Sequence, residues 1–438
     1  MRHAVDLIIE PEFILPIVPA RKVLEQHVVV IEGDRITNII PAEEAHQRFA
    51  ARDVIRLDHH VLLPGFVNLH AHAAMSVMRS LADDLPLMTW LQEHIWPAEG
   101  RHLSPGMVED GTMLAGVEML RGGITCFNDM YFFPDAAITS AHRLGMRICA
   151  GITLLEFPTA YAPDADTYLD KGLAVRDLYA GNPLVSFCIA PHAPYTVSDK
   201  SFERVATLAR QLDLPIHLHL HETADEITNS LREHGVRPIE RLDRLGLIGP
   251  DLIGVHAVHL SPNDIQCLAY YGAHIAHCPS SNLKLASGIA PIHAAQQAGI
   301  NIGLGTDSAA SNNRLDLWTE MRTAALLAKG SSGDARAVDA HAALAMATIN
   351  GARALGLEDQ IGSIEPGKHA DLMAVRLDDM ELMPRYDIAS HLVYSAGREH
   401  VSHVWVNGRQ RVRDRQVVGI DTAELRQRAL AWQNRLKT

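Results

Sequence analysis

Short runs of β-branched and other apolar residues mark both ends of the chain. Near the N-terminus these runs are DLIIEP, HVVVIEGDRITNIIP and DVIRLDHHVLLPG, separated by Gly-Asp and Pro-Gly turn signals. The same pattern returns in IGSIEPGKHADLMAVRLDD and VSHVWVNGRQRVRDRQVV, where Asn407-Gly408 predicts a tight hairpin turn. We expect both ends to build one small β-sandwich domain. An amphipathic helix, AELRQRALAWQNRLK, is predicted to close the chain.

From about Gly65 to Leu357, short apolar strands alternate with segments of helical period. The predicted strands are GFVNLH, GITCFNDM, RICAGITLL, LVSFCIAPH, PIHLHLH, LIGVHAVHL, HIAHCP and NIGLGTD. Eight such units in roughly 290 residues are the repeat and size of a (β/α)8 barrel. A doubly wound open sheet is the alternative, but it gives no reason for polar residues at the strand ends. We predict an α/β fold with a TIM-type barrel at 64–363 and the β-sandwich domain at 1–63 and 364–438.

The composition of the chain argues against several classes of function. The 438 residues carry 39 Lys+Arg and 52 Asp+Glu, a formal charge of −13, which argues against binding nucleic-acid polymers. No apolar run approaches the roughly 20 residues that span a bilayer, and the acids in MRHAVDLIIEPEFILPIVPA do not fit a secretory leader. The five cysteines are scattered without a CxxC pair, which indicates free thiols in a reducing compartment. We expect a cytoplasmic protein with no membrane partner.

Polar side chains stand where five of the predicted barrel strands end. They are His70 and His72, then His192, then His217, His219, His221 and Glu222, then His256 and His259, and finally Thr306 and Asp307. Strands buried on both faces are otherwise nearly continuous apolar sequence. In a barrel, the catalytic groups lie at the carboxyl ends of the strands. We therefore interpret these side chains as one site around a metal ion.

Each of these residues also has a simpler interpretation. The HxH pattern arises by chance, and period two puts His217, His219 and His221 on one strand face, so spacing does not choose among them. A single His192 is more often a hydrogen-bonded core or rim residue, and Asp307 could cap the following helix. Their joint occurrence at successive strand ends favours the metal site.

Imidazole and carboxylate ligands without thiolates suit Zn²⁺, with Fe²⁺ or Mn²⁺ as alternatives. Three histidines and one aspartate leave a position for water, whose pKa the metal lowers toward neutrality. Glu222, beside the ligand strand, is the candidate proton shuttle, while His256 could orient the hydroxide and Asp307 relay a proton. No predicted strand ends in the lysine that a bridging carbamate needs, so we predict one ion per subunit.

The segments GFVNLHAHAAM, APHAPYTVS, HLHETADE, GVHAVHL and LGTDSAASNN resemble the amidohydrolase superfamily. More closely, the chain resembles its methylthioadenosine/S-adenosylhomocysteine deaminases, which are relatives of the triazine chlorohydrolases. The resemblance covers nearly the whole chain, including SSNLKLASGIAP and GSIEPGKHADLMAV. HxH with HxxE and an aspartate on the last strand is specific for the superfamily, whereas the narrower assignment depends on WLQEHIWPAEG and APHAPYT.

The resemblance implies that the zinc ligands are His70, His72, His219 and Asp307. Its HxxE pattern selects His219, which stands three residues before Glu222. In the implied reaction, Glu222 protonates N1 of the purine while hydroxide adds at C6. Asp307 takes the proton of the water and passes it to the departing ammonia.

The resemblance further implies the residues around the substrate. His256 would position and polarise the hydroxide, and His192 matches a substrate-binding histidine. Glu99 matches the carboxylate that accepts hydrogen bonds from the ribose hydroxyls, and Trp90 matches a neighbouring wall of the pocket. A surface carboxylate at Glu99 and a packing role for Trp90 are the alternatives.

One departure bears on the substrate. Some family members that accept S-adenosylhomocysteine place arginines just after the third strand, where this chain reads CAGITLLEFPTAYAPDADTYLDKG, with three aspartates. Arginine binds carboxylates bidentately, whereas acids would repel one. We therefore expect deamination of 5′-methylthioadenosine to 5′-methylthioinosine and ammonia, with S-adenosylhomocysteine or adenosine as further substrates.

Two alternatives stay open. Another amidohydrolase reaction, on guanine, a pterin or a triazine, would use the same metal site. A non-catalytic barrel scaffold is the second alternative, although the intact HxH, HxxE and Asp307 argue against it. A homo-oligomer is expected from family habit. His217, His221 and His259 receive no role from the sequence.

Overall fold

The computed structural model describes residues 2–437 and contains seventeen strands in this range. They are β1 His3–Ile14, β2 Leu24–Glu25, β3 His27–Glu32, β4 Arg35–Pro41, β5 Phe49–Pro64, β6 Phe66–Ala71, β7 Ile124–Asp129, β8 Arg147–Leu154, β9 Val185–Pro191, β10 Ile216–Leu220, β11 Leu252–His256, β12 His274–His277, β13 Asn301–Leu304, β14 Leu372–Arg376, β15 Val401–Val406, β16 Arg409–Arg413 and β17 Gln416–Val417. The eight strands predicted for the barrel all form, as β6 to β13.

Helices connect these strands. They are α1 Ala42–Arg48, α2 Leu87–Thr89, α3 Trp96–His102, α4 Pro105–Arg121, α5 Pro134–Leu144, α6 Ala165–Leu178, α7 Asp199–Leu212, α8 Ala224–His234, α9 Pro238–Arg244, α10 Pro262–Tyr271, α11 Pro279–Lys284, α12 Ile292–Gln297, α13 Leu317–Ser332, α14 Ala340–Met346, α15 Ile349–Ala354, α16 Ile388–Tyr394 and α17 Thr422–Leu436. The predicted closing helix is α17. No helix within residues 2–437 is long and apolar enough to span a membrane.

The barrel is a parallel sheet in which each strand pairs with its neighbour in the chain, from β6 to β13. It closes where Ala71, the last residue of β6, forms a bridge with Asp307, and the Asp307 amide donates to the carbonyl of His70 at 3.0 Å. Closure brings the carboxyl ends of the first and last strands together. The α/β prediction with a TIM-type barrel is confirmed, and the open-sheet alternative is wrong.

The two chain ends build a separate sheet of nine strands, as predicted. Strand β14 pairs antiparallel with β5, so the C-terminal part joins the N-terminal part directly. The Asn407-Gly408 turn has φ of 53° and 73°, which a two-residue hairpin turn requires. The exact boundaries at 63 and 363 stay a prediction.

The long connection after β6 covers the carboxyl end of the barrel. It contains a short 3₁₀ segment, Ala73–Met78, and a continuous helical stretch formed by α2, a wide-turn segment Trp90–Ile95, and α3. Trp90 and Ile95 are buried there. Several of the βα connections begin their helix with a capping side chain, for example Thr223 before α8 and Ser261 before α10.

Candidate active site

Three imidazoles and one carboxylate converge at the carboxyl end of the barrel. Nε2 of His72 lies 3.3 Å from Nε2 of His219 and 3.4 Å from Oδ1 of Asp307. Nε2 of His70 lies 3.3 Å from the same Oδ1. Strands β6 and β10 position the histidines, and the turn after β13 positions Asp307. These four residues are those that the family resemblance implies as ligands.

The outer nitrogens of these rings fix their orientation. Nδ1 of His72 donates to the carbonyl of Met130 at 2.5 Å, and Nδ1 of His219 donates to the carbonyl of His192 at 2.6 Å. Because a carbonyl only accepts, each Nδ1 carries the proton and each Nε2 keeps its lone pair. The Nε2 lone pairs of His72 and His219 therefore point at each other with no proton between them. A metal ion bound between the two nitrogens would remove this repulsion.

His70 sits deepest in the group. Its Nδ1 lies 3.0 Å from Nε2 of His217, and its buried Nε2 has no hydrogen-bond partner. Burial lowers the pKa of His70 to about 4, so the ring is neutral at physiological pH. His217 thus supports a ligand from within the barrel, although the sequence assigned it no role.

Asp307 is held by two hydroxyl groups. Oδ2 accepts hydrogen bonds from Ser281 at 2.6 Å and Ser311 at 2.8 Å, so that Oδ1 faces the imidazoles. These two donated hydrogen bonds favour the ionised form of the carboxyl group. Its backbone has φ of 57°, a left-handed conformation at the turn. Asp307 caps no helix, since Asp316 caps α13.

The donor set fits a divalent cation. Three neutral imidazole nitrogens and one ionised carboxylate oxygen, all buried or nearly so, form the ligand type that zinc, iron and manganese accept. Without a cation, four acceptors would face one another at the end of the barrel. The prediction of a metal site is therefore supported by an arrangement that spacing alone could not provide.

Glu222 and His256 face the same point from the neighbouring strands. Oε2 of Glu222 lies 3.7 Å from Nε2 of His256, and burial raises the pKa of Glu222. Nδ1 of His256 donates to Oδ1 of Asn282 at 2.8 Å, which leaves Nε2 as an acceptor. Asn282, on α11, is a residue that the sequence reasoning missed, although it stands in the SSNLK segment.

A cavity of about 320 Å³ opens in front of these groups. Trp90, Glu99 and His192 all line it, so the structure brings every residue of the predicted site to one place. Nδ1 of His192 is 3.0 Å from the Thr196 hydroxyl. The Tyr131 hydroxyl donates to Oε1 of Glu99 at 2.6 Å, and burial raises the pKa of Glu99 to about 7.

The three aspartates after β8 do not face this cavity. Asp164 caps α6, while Asp166 and Asp170 pair with Arg204 on the outer surface. The expected repulsion of a substrate carboxylate by these acids is therefore wrong. The cavity wall contributed by this connection is instead apolar and contains Leu155 and Phe157.

His221 and His259 have structural surroundings. His221 is buried, and its Nε2 accepts from the amide of Ile239 at 3.2 Å. Nε2 of His259 donates to the carbonyl of Ser287 at 2.8 Å. Both therefore hold loops at the rim of the barrel, outside the converging group.

Comparisons with known proteins agree with this geometry. The sequence profile of the amidohydrolase family matches residues 61–411. The chain is 46% identical to a 5-methylthioadenosine/S-adenosylhomocysteine deaminase from Teredinibacter turnerae, covering 99% of this chain and 98% of that relative. It is 45% identical to a protein of the same name from Saccharophagus degradans, covering 99% and 97%.

Solved structures show the same fold. A zinc-bound adenosine deaminase from Xanthomonas campestris superposes with a TM-score of 0.99 at 46% identity, covering 100% of both chains. Atrazine chlorohydrolase from Arthrobacter aurescens TC1, solved with zinc, superposes with a TM-score of 0.90 at 25% identity, covering 97% of this chain and 99% of that one. From its sequence, its barrel and its ligand geometry, this chain belongs to the amidohydrolase family.

Proposed function

We propose that this protein is a zinc-dependent deaminase of adenine nucleosides, which converts 5′-methylthioadenosine and water to 5′-methylthioinosine and ammonia. The observation that carries the proposal is the convergence of His70, His72, His219 and Asp307 beside a buried glutamate in a nucleoside-sized cavity. The names of the curated relatives support the same reaction. The proposal includes one ion per subunit, with Fe²⁺ and Mn²⁺ as the other metals that the ligands could hold.

A divalent ion in this site would supply a nucleophilic water at neutral pH. Glu222 would donate the proton to N1 of the purine, and burial raises the pKa of this carboxyl group, which favours its protonated form. His256, with its Nε2 lone pair exposed to the cavity, orients the attacking water. Asp307 accepts the water proton and returns it to the amino group, which leaves as ammonia. Glu222 recovers its proton from the C6 hydroxyl as the product carbonyl forms, so one water is consumed and one ammonia is released.

The cavity supports a substrate without a charged tail. Glu99 offers an acceptor to the ribose hydroxyls, a contact that a free base could not make. Among the residues that line the cavity, no lysine or arginine occurs, and Leu155, Phe157 and Trp96 form an apolar wall. Burial against this wall would stabilise a thioether methyl group, whereas an amino-acid carboxylate would have no cation with which to pair. We therefore favour methylthioadenosine over S-adenosylhomocysteine.

The location and assembly also belong to the proposal. The five cysteines are free, and four of them are buried, which suits a reducing cytoplasm. We expect a homo-oligomer that acts on a small nucleoside.

The decisive experiment removes the metal and restores it. Chelation should abolish the loss of adenine absorbance, and about one equivalent of Zn²⁺ per subunit should restore it. Fe²⁺ and Mn²⁺ are tested in parallel. Methylthioadenosine should show the highest kcat/KM among methylthioadenosine, S-adenosylhomocysteine and adenosine. Equal efficiencies for the first two would contradict the substrate preference. Absence of turnover with full zinc occupancy would contradict the reaction and favour a scaffold.

Glu222→Gln tests the proton transfer. We expect kcat to fall by about 10² to 10⁴, the usual contribution of a positioned acid-base group, with zinc content unchanged. Asp225→Asn, an exposed carboxylate three residues later, is the matched control and should keep wild-type turnover. A Glu222→Gln enzyme with near wild-type kcat would remove this residue from the mechanism.

A further inference from the structure

A second, larger cavity lies away from the candidate active site. Its volume is about 940 Å³, and it opens between the Ala73–Met78 segment, helix α4, the β15–β17 region and helix α17. One carboxylate, Glu118, and five cationic side chains line it: Arg79, Arg121, Arg398, Arg415 and Lys437. In a chain whose formal charge is −13, this is a marked local excess of positive charge.

The single carboxylate does not neutralise this excess. Oε1 of Glu118 accepts from Arg398 at 2.9 Å, and its Oε2 accepts from Arg79, so both of its oxygens are already used. Arg415 donates to the backbone carbonyl of Arg398 at 2.9 Å, which holds its guanidinium in place without cancelling its charge. The side chain of Arg121 makes no hydrogen bond or ion pair with any residue in the range 2–437.

These cations also repel one another. Burial lowers the pKa of Arg415, and the neighbouring charges of Arg121 and Arg398 lower it further, although the carboxylate of Glu399 offsets part of this effect. Guanidinium groups kept close together against this repulsion are the arrangement that an anion stabilises. Apolar side chains also line the cavity: Val77, Leu81, Leu114, Val117 and Leu436.

We propose that this cavity is a binding site for a small phosphorylated molecule. The guanidinium forks would bind the phosphate oxygens, and the apolar side chains would cover the organic part of the molecule. Ser76 and Val77 line this cavity, whereas Met75 lines the first one, so the Ala73–Met78 segment separates the two. The ligand therefore binds without entering the candidate active site.

Calorimetric titration of the zinc-loaded protein with uridine 5′-monophosphate tests the proposal. This probe has a phosphate but no adenine amino group, and uridine is the matched control without phosphate. We expect one molecule of the monophosphate to bind per subunit, with an affinity that falls as the salt concentration rises. Uridine should bind at least about tenfold more weakly, because it lacks the charge that the arginines recognise.

Arg121→Ala is the informative variant, since Arg121 supports no other residue. We expect it to weaken binding of the monophosphate by about fivefold or more, as expected for a lost charge-assisted contact. Arg322→Ala, an exposed arginine outside the cavity, should leave the affinity unchanged. Equal affinities for uridine and its monophosphate would overturn the proposal. So would an Arg121→Glu variant that changes the oligomeric state while binding the monophosphate normally, because the cavity would then be a subunit interface. These readouts do not depend on deaminase activity.

Discussion

At the scale of single residues, Glu99 is a cavity-lining carboxyl group whose burial changes its acidity. It lies in the wall of the cavity, and burial raises its pKa to about 7, while the hydrogen bond from Tyr131 lowers it in part. Near neutral pH the free enzyme therefore contains both protonated and ionised Glu99. Only the ionised form offers acceptors to both ribose hydroxyls.

The KM for methylthioadenosine should consequently rise as the pH falls below about 7, because protonation of Glu99 removes acceptor sites. Tyr131→Phe removes a hydrogen bond that stabilises the carboxylate, so the inflection should move to higher pH. The dependence of kcat/KM on pH measures both effects.

Two further variants complete this test. Glu99→Gln should flatten the inflection near pH 7, whereas Glu93→Gln, an exposed neighbour, should keep the wild-type profile. Nucleoside turnover that is indifferent to Glu99→Ala would exclude the ribose contact. It would instead favour a base-type substrate such as guanine, a pterin or a triazine.

At the scale of elements, the connection from β10 to α8 determines where Glu222 stands. Glu226, in the first turn of α8, accepts the amides of His221 at 2.9 Å and Glu222 at 2.8 Å. This carboxylate is buried, and its two hydrogen bonds tie the turn to the first turn of α8. The HETADE segment thus contains the glutamate proposed to transfer the proton and the glutamate that positions its backbone.

Glu226→Ala should lower kcat by roughly tenfold or more, because two buried amides lose their acceptor and the backbone of Glu222 is released. The same loss should reduce stability by about 1–3 kcal/mol for each unsatisfied group. Steady-state kinetics with zinc analysis separate this effect from loss of the ion.

Thr223→Ala is the control for that element. It removes only the helix cap, whose loss costs about 1 kcal/mol, so kcat should stay close to the wild-type value. Equal losses of kcat in both variants would show that general loosening of the loop, not the Glu226 contact, controls catalysis.

At the scale of the whole molecule, a buried ion pair joins the barrel to the β-domain. Arg147, at the start of β8, donates to both carboxylate oxygens of Asp371 at 2.8 and 3.2 Å. Arg147 also donates to the side-chain oxygen of Asn407, and the backbone amide of Asn407 donates to Asp371. Both charged side chains are almost completely buried, so neither could be satisfied by water if the other were lost.

Arg147→Met should therefore destabilise the protein by about 3–5 kcal/mol, because it leaves the Asp371 carboxylate buried without its cation. Chemical denaturation followed by tryptophan fluorescence measures the change. Arg143→Met, which breaks the exposed pair with Glu109, should cost less than about 1 kcal/mol. Similar losses of stability in the two variants would show that the buried interdomain pair contributes no more than the exposed pair.

The local sequence pattern was sufficient to predict much of the fold. Eight alternating units predicted the barrel strands, and Asn407-Gly408 predicted its hairpin, because strand period and turn chemistry are local properties of the chain. The wide-turn helical stretch after β6 lay outside those predictions, since its buried face exists only once the barrel beneath it has formed. The predicted repulsion by the aspartates after β8 was wrong for the same reason. The sequence shows the charge of these residues, but not the direction in which their side chains point in the folded chain.

The sequence by itself determined which residue types stand at the strand ends, because period and chain order alone put His70, His72 and Asp307 at neighbouring barrel positions. Only the tertiary structure decided how those groups are aimed. The Met130 carbonyl, Asn282 and the serines around Asp307 come from distant segments, and their hydrogen bonds select tautomers and rotamers that no local pattern encodes. Barrel closure brings these segments within hydrogen-bond distance, so the side chains converge only in the folded chain.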